Sequence, residues 1–382
     1  MIEVNGYWNP DKKAAARNHT LILSLNSFSN KAARSIHNIV PHTVLITHPH
    51  GRNEIGINKE RLWKSLLGNA LNPNVFSLLV VGYEEKTTAT FVEELKKRSR
   101  KTVESVLVLN GGTLNAIYEG ARKAVELVQE SSEYQREPIP VSEFIVGLKC
   151  GSSDATSGIA SNPALGKAVD RIISLNGTVI FSETTEIIGA EHILAKRAIN
   201  KYVARQIIEA AKKNEDLAVS LGVDLIGTNP VPDNIKGGIS TIEEKSIAAI
   251  MKSGSSPING VIDYATPPPG KGLYFMDSPS AATEVMTALT AAGASVILFT
   301  TGLGNPVGSP VAPVIKITGN PLTMVKMKDH IDVDVSDIIS EGKSIDFGGE
   351  KIFNALLKVL SGRLTKSEIL NHDEFAPIPV GL

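Results

Sequence analysis

Short apolar runs recur along the chain, each trailed by a stretch whose apolar residues return at helical spacing. The runs at 20–25, 43–47, 77–82 and 103–109 read as buried strands, with helical patterns at 32–40, 59–69, 87–98 and 114–131. A second series opens with the run at 144–146 and continues with runs at 178–182, 272–276, 295–299 and 314–317. Its helical stretches fall at 163–173, 191–214 and 349–360, and another starts near 240, where Thr241 and Glu244 have capping-box spacing. Apolar runs alternating with helices mean βα units and a mostly parallel sheet. The predicted fold class is α/β, with two Rossmann-like domains and a cleft between them. One covers 1–135 and the other 143–382; the Ser-, Glu- and Pro-rich stretch 130–140 is the expected linker, and the tail after His372 is expected to be extended.

The polar residues gather where these runs end, which is where open α/β sheets bind ligands. The densest cluster follows the run at 144–146: GLKCGSSDATSGIASNPALG from Gly147 holds Cys150, Ser152, Ser153, Asp154 and Asn162. His48 and His50 follow an earlier run. Glu183, Glu186 and His192 follow another, and Lys236 stands before a glycine pair. Thr300 and Thr301 open a Gly/Pro loop that lacks the Gly-x-Gly-x-x-Gly spacing of a nicotinamide-binding turn. Carboxylates and imidazoles on converging loops suit a divalent metal, while glycine-flanked hydroxyls and backbone N–H groups suit an oxygen-rich anion. Other readings stand beside these. His48 and His50 could lie in a solvated loop, Glu183 and Glu186 could favour a helix N-terminus, and His192 could sit on an exposed helix face.

Composition narrows the choice. With 382 residues, 42% hydrophobic and 21% charged, the chain has room for two domains and a substantial core. A formal net charge of −1 and no basic block give no electrostatic support for nucleic-acid binding. One cysteine rules out an internal disulfide framework and a Cys-rich zinc site. The N-terminal residues lack a secretory pattern and no apolar run approaches the ~20 residues of a membrane span, so a cytoplasmic location is expected.

The cluster from Gly147 resembles the altronate/galactarate dehydratase family, which also contains the large subunit of sulfolactate sulfo-lyase. Further matching stretches are FSETTEIIGAEHIL from Phe181, KGGISTIEEKS from Lys236, GLYFMDSPS from Gly272, FTTGLGNPVGSPVAPVIKIT from Phe299 and HIDVDVSDII from His330. The lead-in with Arg17 and Asn18 is similar too, so the likeness runs along almost the whole chain. The small N-terminal module of some members is not expected here, a layout closer to a separate large subunit or a stand-alone enzyme.

The resemblance implies a hydro-lyase: metal-assisted β-elimination of water from a sugar acid to a 2-keto-3-deoxy acid, usually with ferrous iron. For such a reaction the catalytic candidates are His48 and His50, as base or metal ligand, with Asp154, Glu183 and His192; Cys150 and Glu186 are the candidate metal ligands. Arg52, Ser152, Ser153, Asn162, Lys236, Thr300 and Thr301 are the implied substrate-binding residues. Family members carry further cysteines at positions where this chain has Arg52, Tyr83 and a residue near Phe28, leaving only Cys150. Oxygen and nitrogen ligands in their place would favour manganese or magnesium over iron. Sulfite elimination from a sulfolactate-like acid and non-catalytic binding of a sugar acid are the alternatives. A homodimer, with or without a separate small subunit, is expected.

Overall fold

The computed structural model describes residues 2–223 and 229–377. A lead-in forms β1 (Glu3–Trp8) and β2 (Ala14–Ala15). The first parallel sheet contains β3 (His19–Ser24), β4 (Thr43–Ile46), β5 (Val75–Gly82) and β6 (Thr102–Leu107), in the order β4-β3-β5-β6. Helices α1 (Asn30–Ile39) and α4 (Gly112–Ser132) cover one face; α2 (Gly56–Leu71) and α3 (Glu85–Arg98) cover the other. Leu21, Leu23, Leu78 and Val80 face α2 and α3, while Ile22, Leu79 and Val81 face α1 and α4. Burial on both faces is why these strands read as continuous apolar runs rather than as alternating ones.

The second sheet is larger. Its seven strands are β8 (Ile145–Gly151), β9 (Thr178–Phe181), β10 (Ile258–Ile262), β11 (Gly272–Met276), β12 (Val296–Thr301), β13 (Val314–Thr318) and β14 (Val333–Asp334). They lie in the order β10-β11-β9-β8-β12-β13-β14, all parallel. One face packs on α5 (Asn162–Ser174), α6 (Lys201–Ser220), α7 (Ile242–Ile250) and α9 (Ile345–Leu360). The other packs on α8 (Ala282–Ala291). From β8 the chain moves to β9 on one side, and from β12 to β13 on the other. A crevice therefore opens at the carboxyl ends of β8 and β12.

The two α/β domains meet through α2 and α8. Gly68 lies so close to α8 that a Cβ there would stand 2.6 Å from the Ala291 carbonyl oxygen. Buried asparagines bridge the same junction. Asn72 Nδ2 donates to Thr290 O at 2.7 Å and Ala294 O at 2.9 Å, and Asn69 Nδ2 donates to Thr287 O at 3.1 Å.

Local differences from the sequence reading have physical causes. The expected linker contains β7 (Glu137–Pro140), which pairs antiparallel with β1. The expected helix over 191–214 is divided into Glu191–Ala195 and α6, because Ala198 bridges to Ile258 and Asn200 caps Val203 N at 2.9 Å. Strand β8 runs on to Gly151 and carries Lys149 and Cys150 to its end.

Candidate active site

Strand β8 delivers two adjacent side chains to the crevice. Cys150 points to the α5 side and is buried, while Lys149 points to the α8 side and is also buried. After β9, Glu183 takes a left-handed backbone conformation at φ 82°, which a non-glycine residue adopts at a cost of about 1–2 kcal/mol. Its turn is pinned by Thr184 N donating to Ser278 O at 2.9 Å and Thr184 Oγ1 donating to Asp277 Oδ1 at 2.7 Å. That turn directs the Glu183 carboxylate beneath the end of β8 and places Glu186 three residues on.

The third contributor is Lys252, in the turn Met251–Ser253 that follows α7. Its Nζ lies 2.7 Å from Glu183 Oε2, 3.1 Å from Cys150 Sγ and 4.0 Å from Glu186 Oε2. Lys149 Nζ bonds the other oxygen of Glu183 and donates to Ser280 O at 3.0 Å. Cys150 Sγ donates to Glu186 Oε2 at 3.0 Å, and Lys245 Nζ approaches Glu186 Oε1 at 3.7 Å. Three lysines against two carboxylates leave the cluster positive.

Burial by itself would lower the pKa of Lys149 and Lys252, but the neighbouring Glu183 and Glu186 carboxylates prevail and hold both above the ordinary lysine value. Burial opposes ionisation of Glu186 too, yet Lys149, Lys245 and Lys252 bring it down to about 2. Burial and the two carboxylates push the Cys150 thiol well above its usual value. The resting cluster thus carries the Lys149 and Lys252 ammonium groups, an ionised Glu186 and a neutral thiol around Glu183, with Lys245 at its edge.

A cavity of about 370 Å³ opens onto this cluster, lined by Lys149, Ser152, Glu186, Asn234, Lys245 and Ser280 among others. Its rim is built by the loops after β8 and β12. Gly302 N and Leu303 N donate to Ser152 O at 3.2 and 2.9 Å. Asp154 Oδ1 accepts from Thr156 Oγ1 at 2.6 Å and Ser157 N at 3.1 Å, and its Oδ2 accepts from Asn320 Nδ2 at 2.7 Å. Gly302 passes so near that a Cβ there would stand 2.3 Å from Asp154 Oδ1. Asn162 accepts from Thr300 Oγ1 at 2.6 Å and donates to Ala248 O at 2.8 Å. Thr301 Oγ1 accepts from Gly304 N at 3.1 Å, and Ser153 O accepts from Asn234 Nδ2 at 2.9 Å.

The structure thus brings Cys150, Ser152, Ser153, Asp154, Asn162, Glu183, Glu186, Thr300 and Thr301 to one crevice. His48, His50 and Arg52 lie on the first domain and do not line its cavity. His48 is buried, neither ring nitrogen meeting a hydrogen-bond partner among the described residues, and burial together with neighbouring His50 pushes its pKa down to about 4. His50 Nε2 faces Pro377 O at 3.1 Å. Arg52 stacks over Tyr83 at 5.3 Å, and Tyr83 stacks on Phe28 at 5.0 Å. Two of the positions at which the resemblance places cysteines, and Phe28 near the third, thus form a cation–aromatic stack. His192 and Lys236 are exposed on short helices.

Sequence reasoning passed over Lys149, Lys252 and Asn320, and gave Lys245 no role although it lies in the stretch that begins at Lys236. Lys149 had a signal, a charge inside an otherwise apolar strand run. Lys252 had none, since its turn looks like any helix end.

Cys150, Glu183 and Glu186 each offer one ligand atom, all within 4.8 Å of one another, a group that could hold a metal ion. The place among them is taken by the Lys252 ammonium, so the residues as arranged do not fit a divalent ion. Among the described residues no helix is long and apolar enough to cross a membrane.

The cluster stands at a switch point of a parallel sheet, the place where open α/β sheets bind ligands. Residues 141–382 match the family described as D-galactarate/altronate dehydratase, C-terminal, and residues 6–132 match D-galactarate dehydratase/altronate hydrolase, second domain. The chain belongs to this family of lyases. It is 39% identical to (2R)-sulfolactate sulfo-lyase subunit beta of Chromohalobacter salexigens, over 97% of this chain and 95% of that one. It is 30% identical to altronate dehydratase of Bacillus subtilis over 89% of this chain and 68% of the relative. Galactarate dehydratase (L-threo-forming) of Escherichia coli is 36% identical over 62% of this chain but only 45% of its own length.

Proposed function

We propose that the chain is the catalytic part of a lyase that removes a β-substituent from a small 2-hydroxy acid and leaves a 2-keto acid. The observation that carries this reading is that Glu186 meets the Lys149 and Lys245 side chains on the wall of one cavity. Lys149 and Lys245 hold the substrate carboxylate and stabilise the negative charge that builds on it as the adjacent C–H bond breaks. Glu186 is the ionised carboxylate that lines the cavity, and it takes the proton from the α-carbon. The electron pair forms the α–β double bond, the β-substituent leaves with its own pair, and the enol product tautomerises to the keto acid. A hydroxyl leaves as water after taking the proton that Glu186 has received from the α-carbon. A sulfonate leaves as sulfite without needing one.

Dehydration of a sugar acid is the hydro-lyase reading, supported by the family and by the dehydratase relatives. One feature of the cavity favours a second anionic group over several hydroxyls. Lys149 and Lys245 both stand on its wall, while Asp154, Asn162, Thr300 and Thr301 lie outside its lining and hold the loops together. A sulfolactate-like dianion suits such a lining, and a small partner subunit fits the same reading, since the relative with that printed activity is a subunit beta. Ferrous iron, manganese or magnesium would be held by Cys150, Glu183 and Glu186 only after Lys252 withdrew.

The deciding experiment offers sulfolactate, altronate and galactarate to the purified protein and follows sulfite and 2-keto acid together. Sulfite and pyruvate in equal amounts establish sulfite elimination. Keto acid from the sugar acids alone establishes dehydration, and no product from any of them in the presence of its partner subunit removes the lyase reading.

A further inference from the structure

Lys252 occupies the position that the buried carboxylates and thiol would otherwise offer to a metal ion. Its Nζ is within hydrogen-bond distance of Glu183 Oε2 and Cys150 Sγ, at 2.7 and 3.1 Å, and 4.0 Å from Glu186 Oε2. These are the same three residues whose ligand atoms lie within 4.8 Å of one another. A divalent ion bound to thiolate and carboxylate needs contacts of about 2.0–2.3 Å. It cannot enter while the ammonium stands there, because both its volume and its charge are already present.

The lysine is held in place by its backbone. Lys252 is buried to 2% exposure. Gly166 of α5 lies against its turn so tightly that a Cβ would stand 2.3 Å from Met251 O. Just beyond the turn, Asp170 accepts from Ser255 N at 2.9 Å and Ser256 N at 2.8 Å. Arg197 grips Ser253 through Nη1 to Oγ at 2.9 Å and Nη2 to the carbonyl at 3.0 Å. Helix α5 and the side chains of Asp170 and Arg197 thus clamp the turn that carries this ammonium. Such support around a single side chain belongs to a placed group rather than to a tether free to swing.

We infer that Lys252 is the resident cation of this centre and that its ammonium stands in place of the metal ion expected from the dehydratase relatives. The hydrogen-bond order supports this, since the ammonium donates to Sγ and Sγ donates to Glu186 Oε2 at 3.0 Å. Lysine, thiol and carboxylate form a continuous chain from the protein interior to the cavity wall. The inference concerns the cation and not the leaving group, so it stands or fails separately from the elimination reading.

Cobalt(II) titration of the full-length protein without oxygen tests it, because a thiolate–cobalt bond has its own charge-transfer absorption. Wild-type protein is expected to show no such band and to retain less than a tenth of an equivalent of cobalt after desalting. Lys252→Met, which removes the ammonium and keeps the length of the side chain, is expected to bind one equivalent with the band. The Lys252→Met/Cys150→Ser double variant is expected to lose the band. One equivalent on wild-type protein, with a band that Cys150→Ser abolishes, overturns the inference. A folded Lys252→Met protein that refuses the ion overturns it equally, since the lysine would then not be what stands in the ion's place. If Lys252→Met does not fold, the wild-type and Cys150→Ser titrations decide alone: no band and no difference between them supports the resident ammonium.

Discussion

At the scale of the residue, the site depends on charges that only make sense together. Glu183 is fully buried with Lys149 on one oxygen and Lys252 on the other. Removing one partner of a buried ion pair leaves a charge without compensation, which typically costs about 3–5 kcal/mol. Lys149→Met should therefore lower the melting temperature clearly, and chemical denaturation against wild type measures the loss. Glu186 differs because it faces the cavity. Glu186→Gln keeps the shape and the acceptor for the Cys150 thiol but removes the proton acceptor, so turnover should fall by roughly 10²–10⁴-fold. The melting temperature should fall as well, because Lys149, Lys245 and Lys252 lose a buried counter-charge. A Glu186→Gln protein with full turnover would take Glu186 out of the proton-transfer step.

At the scale of the element, loops after β8 and β12 are fastened by Asp154 and Asn320, and the domains by the asparagines between α2 and α8. Asn72→Ala leaves the buried Thr290 and Ala294 carbonyls without that donor, an expected loss of about 1–3 kcal/mol in denaturant unfolding. The strands and most helices could be read from the chain because their residues carry both signals at once, apolar period and burial. Strands β1, β7, β10 and β14 could not, because each is partly exposed and none forms an unbroken apolar run. The crevice loop after β8 was legible from its density of hydroxyl and amide groups. Their geometry was not: Asp154, Asn162 and Thr300 mostly hold loops together, and that distinction exists only in three dimensions. Lys252, about a hundred residues from Cys150, is the clearest case, because no local pattern marks a lysine that folds back into a core.

At the scale of the whole molecule, pH acts on groups that folding has moved. His48 is neutral in the fold with its pKa at about 4, pushed there by burial and by His50, whereas in the unfolded chain it titrates near 6.5. Between those values the unfolded chain binds the proton and the folded chain does not. Stability contributed in this way is present above pH 6.5 and is lost as pH falls towards 4, by up to about 3 kcal/mol. Melting temperatures recorded from pH 7 down to pH 4.5 should fall, and His48→Leu should flatten that part of the curve. A curve of unchanged slope in the variant would assign the loss to other groups.

The lone thiol has a practical meaning beyond chemistry at the site. Cys150 sits at the centre of the charge cluster, shielded from solvent and held in its unreactive protonated form. An alkylating reagent can reach it only when the loops and turns around it part. Its labelling rate in the native protein is therefore a clock for opening of that interior, readable by mass spectrometry because no second cysteine blurs the signal. A ligand that seals the cavity should slow the clock, and one that binds elsewhere should leave it running.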